Sequence, residues 1–450
     1  MAMTRNMRRL GGPPVAALLL LLAWTLRAGV SAAPSPDAAF AAFWEAESAA
    51  DAARLTNDVV ASGVSFDEAF TRLKQGRAYP ADVPRGVVKL SRKAGGREFP
   101  YTLDVPTGYD PQRAYQVRVQ LHGGVSRPAP QLRGDGSIGA LAGAEQIYVL
   151  PQGWNGAQWW TDVQVANIDA ILDQVKRTYN VDENRIVMSG VSDGGTGAFF
   201  YAMRRSTPFA SFLPLNGFIL VLRNPMLTFD GALFPHNMAN KPMFAVNGGL
   251  DPLYPSERVE PFMRKLEEGG LRLVYRNRRD AAHNTSWWPQ LKDEFETFVR
   301  DHPRDPHPAR LTWRTEDVKT YNRHHWLVID ELGKSQPVSD LPDMNDLVFD
   351  DGKDRRVLPL FPRGMWPTGR VDLVRDGNVI KASTQGVKRF TLLLSPEVID
   401  FSRPVTVVAD GKTVFEGQVP RRVDTLLKWA ARDNDRTMLY GAELQVSLTP

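Results

Sequence analysis

The chain has 450 residues, 43% hydrophobic and 24% charged, a balance that excludes a disordered or membrane-embedded protein and a length too great for one ordinary domain. Its formal net charge is +4, but the first 32 residues hold four Arg (Arg5, Arg8, Arg9, Arg27) and no acid, so the remainder carries 51 basic and 51 acidic side chains. Without a basic field there is no footprint for nucleic acid or an anionic membrane surface. Without a single Cys there is no disulfide, thiol nucleophile or cysteine metal site.

The chain opens with Arg5, Arg8 and Arg9, continues through the apolar run Val15 to Trp24, and then offers the small residues Val30-Ser31-Ala32. That is the pattern of a signal peptide over 1–32, with export to the periplasm or outside the cell. The apolar run is about half of the ~20 residues that a membrane span needs, so no stable membrane anchor is expected. Residues 33–86 are expected to form a helical leader packed on the main domain. Ala39, Phe40, Phe43 and Trp44 share a helical face, and Ser65 with Glu68 resembles a capping box that opens a helix over 66–75.

Over 87–301 the texture is that of an α/β protein. Apolar runs predict strands at 87–91, 101–105, 116–121, 147–150, 185–189, 211–215, 243–247 and 271–275, with helices at 165–179, 195–205, 255–268 and 289–301. Continuous apolar strands alternating with helices predict a mostly parallel central sheet covered on both faces. Residues 302–310 hold three Pro and read as a linker. Over 311–450 the period changes to two, as in Val371, Leu373 and Arg375, and Asp376-Gly377 and Asp410-Gly411 are hairpin-turn dipeptides. This predicts a β-rich accessory domain of sandwich type, interrupted by one helix at 423–432.

Gly190-Val191-Ser192-Asp193-Gly194 matches G-x-S-x-G between a predicted strand and a predicted helix. The sharp turn crowds the backbone around the serine, flanking glycines relieve the crowding, and the hydroxyl is left above the sheet edge. A serine hydroxyl needs a base. Of the seven His, His283 follows the last predicted parallel strand, where the base belongs in the chain order Ser, acid, His. The acid that orients it is read as Asp251, after the strand at 243–247; Asp230 comes too early, and Asp280 is a rival on the same loop as His283. An oxyanion hole needs two backbone N–H donors. Asp193 is expected to supply one and Gly123 or Gly124, in Leu121-His122-Gly123-Gly124, the other. His122 itself reads as a loop-fixing residue.

The stretches LHGG, YNVDENRIVMSGVSDGG and NGGLDPLYP, together with the late His283, resemble the α/β-hydrolase superfamily. Within it the chain is similar to the exported esterase branch that includes polyhydroxybutyrate-depolymerase-like and feruloyl-esterase-like proteins. Tyr179-Asn180-Val181-Asp182 ahead of the strand is typical of that branch, and the resemblance spans about 87–301. It implies an α/β-hydrolase fold, a Ser192–Asp251–His283 triad and ester hydrolysis through an acyl-enzyme. The chain departs from the branch in lacking Cys and in carrying the β-rich tail.

Trp159 and Trp160 follow the strand at 147–150 and are the expected substrate-pocket residues. The segment 217–241 is a candidate lid, and Trp287 and Trp288 are further aromatic candidates. His324-His325 reads as a surface pair, since neighbours on a strand face opposite ways. No cofactor and no metal are expected. The expected partner is a small-molecule or polymeric ester substrate. Two other readings stand beside the esterase: a serine peptidase of the prolyl-oligopeptidase kind, and a non-catalytic carbohydrate- or protein-binding protein on a hydrolase scaffold.

Overall fold

The computed structural model describes residues 33–130, 135–224, 227, 231–334, 346–350, 352–359, 361 and 367–448. The expected signal peptide over 1–32 and Asp230 lie outside the described residues. Among the described residues no helix is long and apolar enough to cross a membrane.

The apolar runs of the middle region become eight strands of one sheet: β1 (Gly86–Ala94), β2 (Arg97–Val105), β3 (Tyr115–Leu121), β4 (Ile147–Pro151), β5 (Val181–Val191), β6 (Phe212–Leu215), β7 (Met243–Gly248) and β8 (Leu273–Arg278). Their order is β1-β2-β4-β3-β5-β6-β7-β8. The first two are antiparallel to their neighbours and the rest run parallel. A parallel sheet needs both faces covered, and the central strand β5 is accordingly apolar on both: the consecutive Ile186, Val187 and Met188 are all buried. Helices α4 (Asp162–Thr178), α5 (Asp193–Arg204) and α6 (Ser256–Glu268) make crossovers, and α7 (Trp288–Asp301) follows the last strand.

The register sets up the site. Leu121 pairs with Gly190, and Val191 pairs with Leu215. The loops after β3 and β5 therefore leave the sheet side by side, at the carboxyl ends where open α/β sheets bind ligands.

Beyond α7, a five-stranded sheet contains β9 (Arg310–Thr315), β14 (Gly369–Asp376), β15 (Val379–Gln385), β17 (Val405–Ala409) and β18 (Lys412–Gly417). A four-stranded sheet contains β10 (Arg323–His324), β11 (Leu327–Leu332), β16 (Val387–Leu394) and β19 (Ala442–Ser447). Between them in sequence lies the hairpin β12 (Asp346–Asp350) and β13 (Arg355–Pro359). The two larger sheets share one core, with Trp313, Val371, Leu373 and Ile380 from one and Ile329, Phe390, Leu392 and Leu444 from the other. Both expected turn dipeptides sit at hairpins. Asp410 (φ 49°) and Gly411 (φ 79°) join β17 to β18 with the positive angles that a tight two-residue turn requires.

Two expectations about organisation are corrected. The leader helices α1 (Pro36–Glu45), α2 (Ala49–Ala61) and α3 (Phe66–Gln75) do not pack mainly on the α/β region. Phe40, Phe43, Val59 and Leu73 form a cluster with Leu426, Leu427 and Ala430 of α8 (Val423–Asp433), a helix of the C-terminal region. The cause is α8 itself: Trp429 enters the sandwich core while Leu426, Leu427 and Ala430 face away from it, and that second apolar face requires its own cover. The segment 302–310 is a packed seam rather than a free linker. Arg304 is 3% exposed, and its guanidinium reaches Asn184 of β5 at 2.9 Å and both Asp435 and Thr437 at 2.8 Å.

Candidate active site

Ser192 sits between β5 and α5 with φ 58° and ψ −120°, a backbone state that costs a non-glycine residue of order 1–3 kcal/mol. Close packing holds it there. A Cβ on Gly190 would lie 2.1 Å from the Gly194 carbonyl oxygen, and one on Gly194 would lie 2.3 Å from that of Leu121. The glycines of the motif are thus required by contact between β3, β5 and α5.

His283 Nε2 lies 2.9 Å from Ser192 Oγ, and its Nδ1 lies 2.6 Å from Asp251 Oδ2. Asp251, not Asp280, is the carboxylate at the ring. It is 2% exposed, and its other oxygen accepts from the N–H groups of Leu253 at 2.8 Å and Tyr254 at 3.0 Å. A buried carboxylate needs such partners, and here they aim it. Tyr254, which sequence reasoning missed, meets the His283 ring edge-on with centroids 5.4 Å apart. Burial, with Asp193 and Asp251 nearby, pushes its phenol up to about 12, so it stays a neutral neighbour.

The loop after β3 is pinned from three sides. Gly153 donates its N–H to His122 Nε2 at 3.0 Å, so that nitrogen carries the lone pair and Nδ1 donates to the Gly123 carbonyl at 2.9 Å. Trp159 Nε1 donates to the His122 carbonyl at 2.9 Å. The Asp193 carboxylate accepts from Val125 N–H at 2.9 Å, so the residue after the serine also holds this loop. Gly123 touches the serine: a Cβ there would stand 2.8 Å from Ser192 Cβ. Gly123 and Gly124 therefore flank Ser192 on one side and the N-terminus of α5, with its unpaired first-turn N–H groups, on the other.

A cavity of about 550 Å³ opens at this point, lined by Ser192, His283, Gly123 and Gly124 at one end. Leu141, Leu150, Ile138 and Leu253 supply apolar wall. Thr102, Gln120 and Gln152 line it as well, from β2, from β3 and from just after β4, which lies between those two strands. Each is nearly buried (1%, 5% and 6% exposed), and Thr102 Oγ1, Gln120 Oε1 and Gln152 Oε1 have no hydrogen-bond partner. Together these three side chains give the cavity a polar floor.

The expected pocket residues Trp159 and Trp160 are not there. They are 0% and 1% exposed and belong to the core beneath the sheet. Trp159 fits a slot made by two glycines, lying 2.8 Å from a Cβ on Gly153 and 2.7 Å from one on Gly197. Trp287 and Trp288 are also buried, against α7. The described part of the candidate lid does not line the cavity; Asn237 and Asn240 instead donate to β9 carbonyls at 2.9 and 2.7 Å. His324 and His325 are no surface pair. Each is 1% exposed, and His324 stacks on Trp313 with centroids 5.0 Å apart. Burial, with Lys241 close by, holds both far below the usual imidazole range. Among the described residues no three His, Asp or Glu side chains are grouped to hold a metal.

No family model matches the chain. Feruloyl esterase C of Emericella nidulans is 28% identical over 181 residues, covering 35% of this chain and 64% of that protein. A bifunctional acetylxylan esterase/xylanase of Neocallimastix patriciarum is 26% identical over 208 residues, covering 45% of this chain and 26% of that protein. The chain is thus similar in sequence to esterases. It spans less than two thirds of the length of either relative. Solved structures similar to this chain include a thermostable esterase (22% identity, TM-score 0.38, 48% of this chain and 63% of that one) and Thermogutta terrifontis esterase 2 (17%, 0.39, 48% and 94%).

Proposed function

We propose that the protein is an exported serine hydrolase that cleaves a carboxylic ester through an acyl-enzyme. The observation that carries this reading is the chain of contacts Ser192–His283–Asp251, at 2.9 and 2.6 Å, at the end of a cavity of about 550 Å³. Ser192 Oγ attacks the ester carbonyl while His283 Nε2 takes its proton. Asp251 holds the ring by Nδ1 and stabilises the imidazolium that forms. The N–H of Asp193 and that of Gly123 or Gly124 receive the developing oxyanion. His283 then returns the proton to the leaving alkoxide, and water repeats the sequence on the acyl-enzyme.

The polar floor of Thr102, Gln120 and Gln152 favours a substrate whose buried portion carries hydroxyl groups over a plain alkyl ester. Feruloyl and acetylated-xylan esters, named in the relatives, are the first substrates to try. Export is inferred from the cationic and apolar start of the chain, and the division into leader, hydrolase region, seam and β-rich region (33–86, 87–301, 302–310 and 311–450) is proposed as its organisation. The test is hydrolysis of p-nitrophenyl acetate by the protein beginning at residue 33. A pre-steady-state burst of p-nitrophenol equal to the enzyme concentration, absent in Ser192→Ala, is expected. Cleavage of peptide amides without any ester cleavage would move the assignment to a peptidase.

A further inference from the structure

A second cavity, of about 630 Å³, lies between the hydrolase sheet and the β-rich region, walled by residues before β7, by the 301–308 seam and by β9 and β14. The reaction above makes no use of it. Lys241, Arg304 and Thr312 line it. Lys241 is 4% exposed, and its Nζ lies 2.8 Å from His325 Nε2. The Pro306 carbonyl oxygen, 3.1 Å from His325 Nδ1, only accepts; Nδ1 therefore carries the ring proton, and Nε2 accepts from Lys241. One ammonium proton is used in this way, and among the described residues no carboxylate forms an ion pair with Lys241.

Arg304 spends Nε and Nη2 on Asn184, Asp435 and Thr437 and leaves Nη1 buried with no partner. Thr312 Oγ1 is buried and unpartnered too. The acids on the wall are engaged elsewhere: Asp301 pairs with Arg300, Asp372 with Arg370, and Asp305 accepts the His307 N–H. The exposed Arg272 and Arg310 add positive charge at the rim. Burial, then the charges of Arg304 and Arg272, drive Lys241 well below its ordinary pKa. The cavity wall thus carries Lys241, Arg304 Nη1 and Thr312 Oγ1 with donor capacity that no acceptor among the described residues takes up, an arrangement that a bound anion relieves.

We propose that this cavity binds the carboxylate or phosphate group of a small molecule through Lys241, Arg304 and Thr312. Its volume exceeds that of a bare oxyanion and leaves room for an organic body. Because both regions contribute walls, occupancy favours the docked arrangement of the two.

The test is calorimetric titration and thermal melting of the protein beginning at residue 33, with inorganic phosphate and with acetate, against sodium chloride at matched ionic strength. Saturable binding of at least one probe is expected, with a Tm that rises with its concentration; which probe binds tells phosphate from carboxylate. In Lys241→Met affinity falls about tenfold or more, while the melting temperature without anion stays level or rises and p-nitrophenyl acetate hydrolysis is unchanged. Thr312→Val, which keeps the side-chain shape, weakens binding a few-fold and carries the test if Lys241→Met does not fold. Absence of saturable binding by either probe, or equal binding by wild type and both variants, overturns the proposal.

Discussion

The two cavities are alike in size, about 550 and 630 Å³, and opposite in chemistry. The first is walled by strands of one sheet, and its partnerless atoms are a hydroxyl and two amide oxygens beside a serine, a histidine and an uncharged backbone cradle. The second is walled by two regions far apart in sequence, and its partnerless groups are donors on cationic side chains and one hydroxyl. A non-glycine residue of positive φ lines each: Ser192, against glycines that permit no Cβ, at the first cavity and His325 at the second. A site for bond-breaking concentrates fixed dipoles around one reactive atom, whereas a site for binding needs only spare donors beside room for the ligand.

The largest effects that sharpen this contrast belong to the triad. Ser192→Ala should lower kcat by about 10⁴–10⁶, and Asp251→Asn by about 10⁴, with no loss of anion binding at the second cavity. Steady-state kinetics beside the phosphate titration checks both halves of that statement. Next comes Gly123→Ala. The added methyl meets Ser192 Cβ at 2.8 Å and displaces the cradle, so kcat should fall about 10²–10³-fold with KM changed far less.

The polar floor gives a smaller, selective effect. Gln152→Leu should cut kcat/KM for a hydroxylated aryl ester about tenfold and leave the unsubstituted analogue within about twofold. Equal losses on both esters would mean that Gln152 supports the fold and does not read the substrate.

That prediction also marks where sequence reading stopped. Ser192 was legible because its signal is local, a five-residue motif between an apolar strand and a helix. His283 followed from chain order, and most strands from runs such as Ile186-Val187-Met188. Thr102, Gln120 and Gln152 come together only because the sheet runs β2-β4-β3, which no local pattern announces. Trp159 looked like a pocket residue because the glycines that bury it, Gly153 and Gly197, are 44 residues apart in sequence and meet only in the fold. The leader's partner, α8, lies more than 330 residues downstream of it, and Lys241 meets His325 only once the two regions dock.

The smaller effects are on stability. Trp159→Phe removes the bond to the His122 carbonyl and should cost about 1 kcal/mol, read as a lower urea midpoint, together with a partial loss of activity as the cradle loosens. Glu397, bonded by His307 at 3.3 Å and by Lys74, is held down to about 2 from its ordinary 4.5, by His307 first. Its carboxylate is worth more to the folded state than to the unfolded one, so this contribution is present above about pH 4.5 and is lost as pH falls toward 2. Glu397→Gln should therefore flatten the acid limb of the stability curve in that window and change little else.

The most direct test of the central claim is a fluorophosphonate probe added to the protein beginning at residue 33, followed by peptide mass spectrometry, with Ser192→Ala alongside. The triad account predicts one stoichiometric adduct on Ser192 and none anywhere in the mutant. A well-folded wild type that takes no adduct, or takes it on another residue, would contradict it.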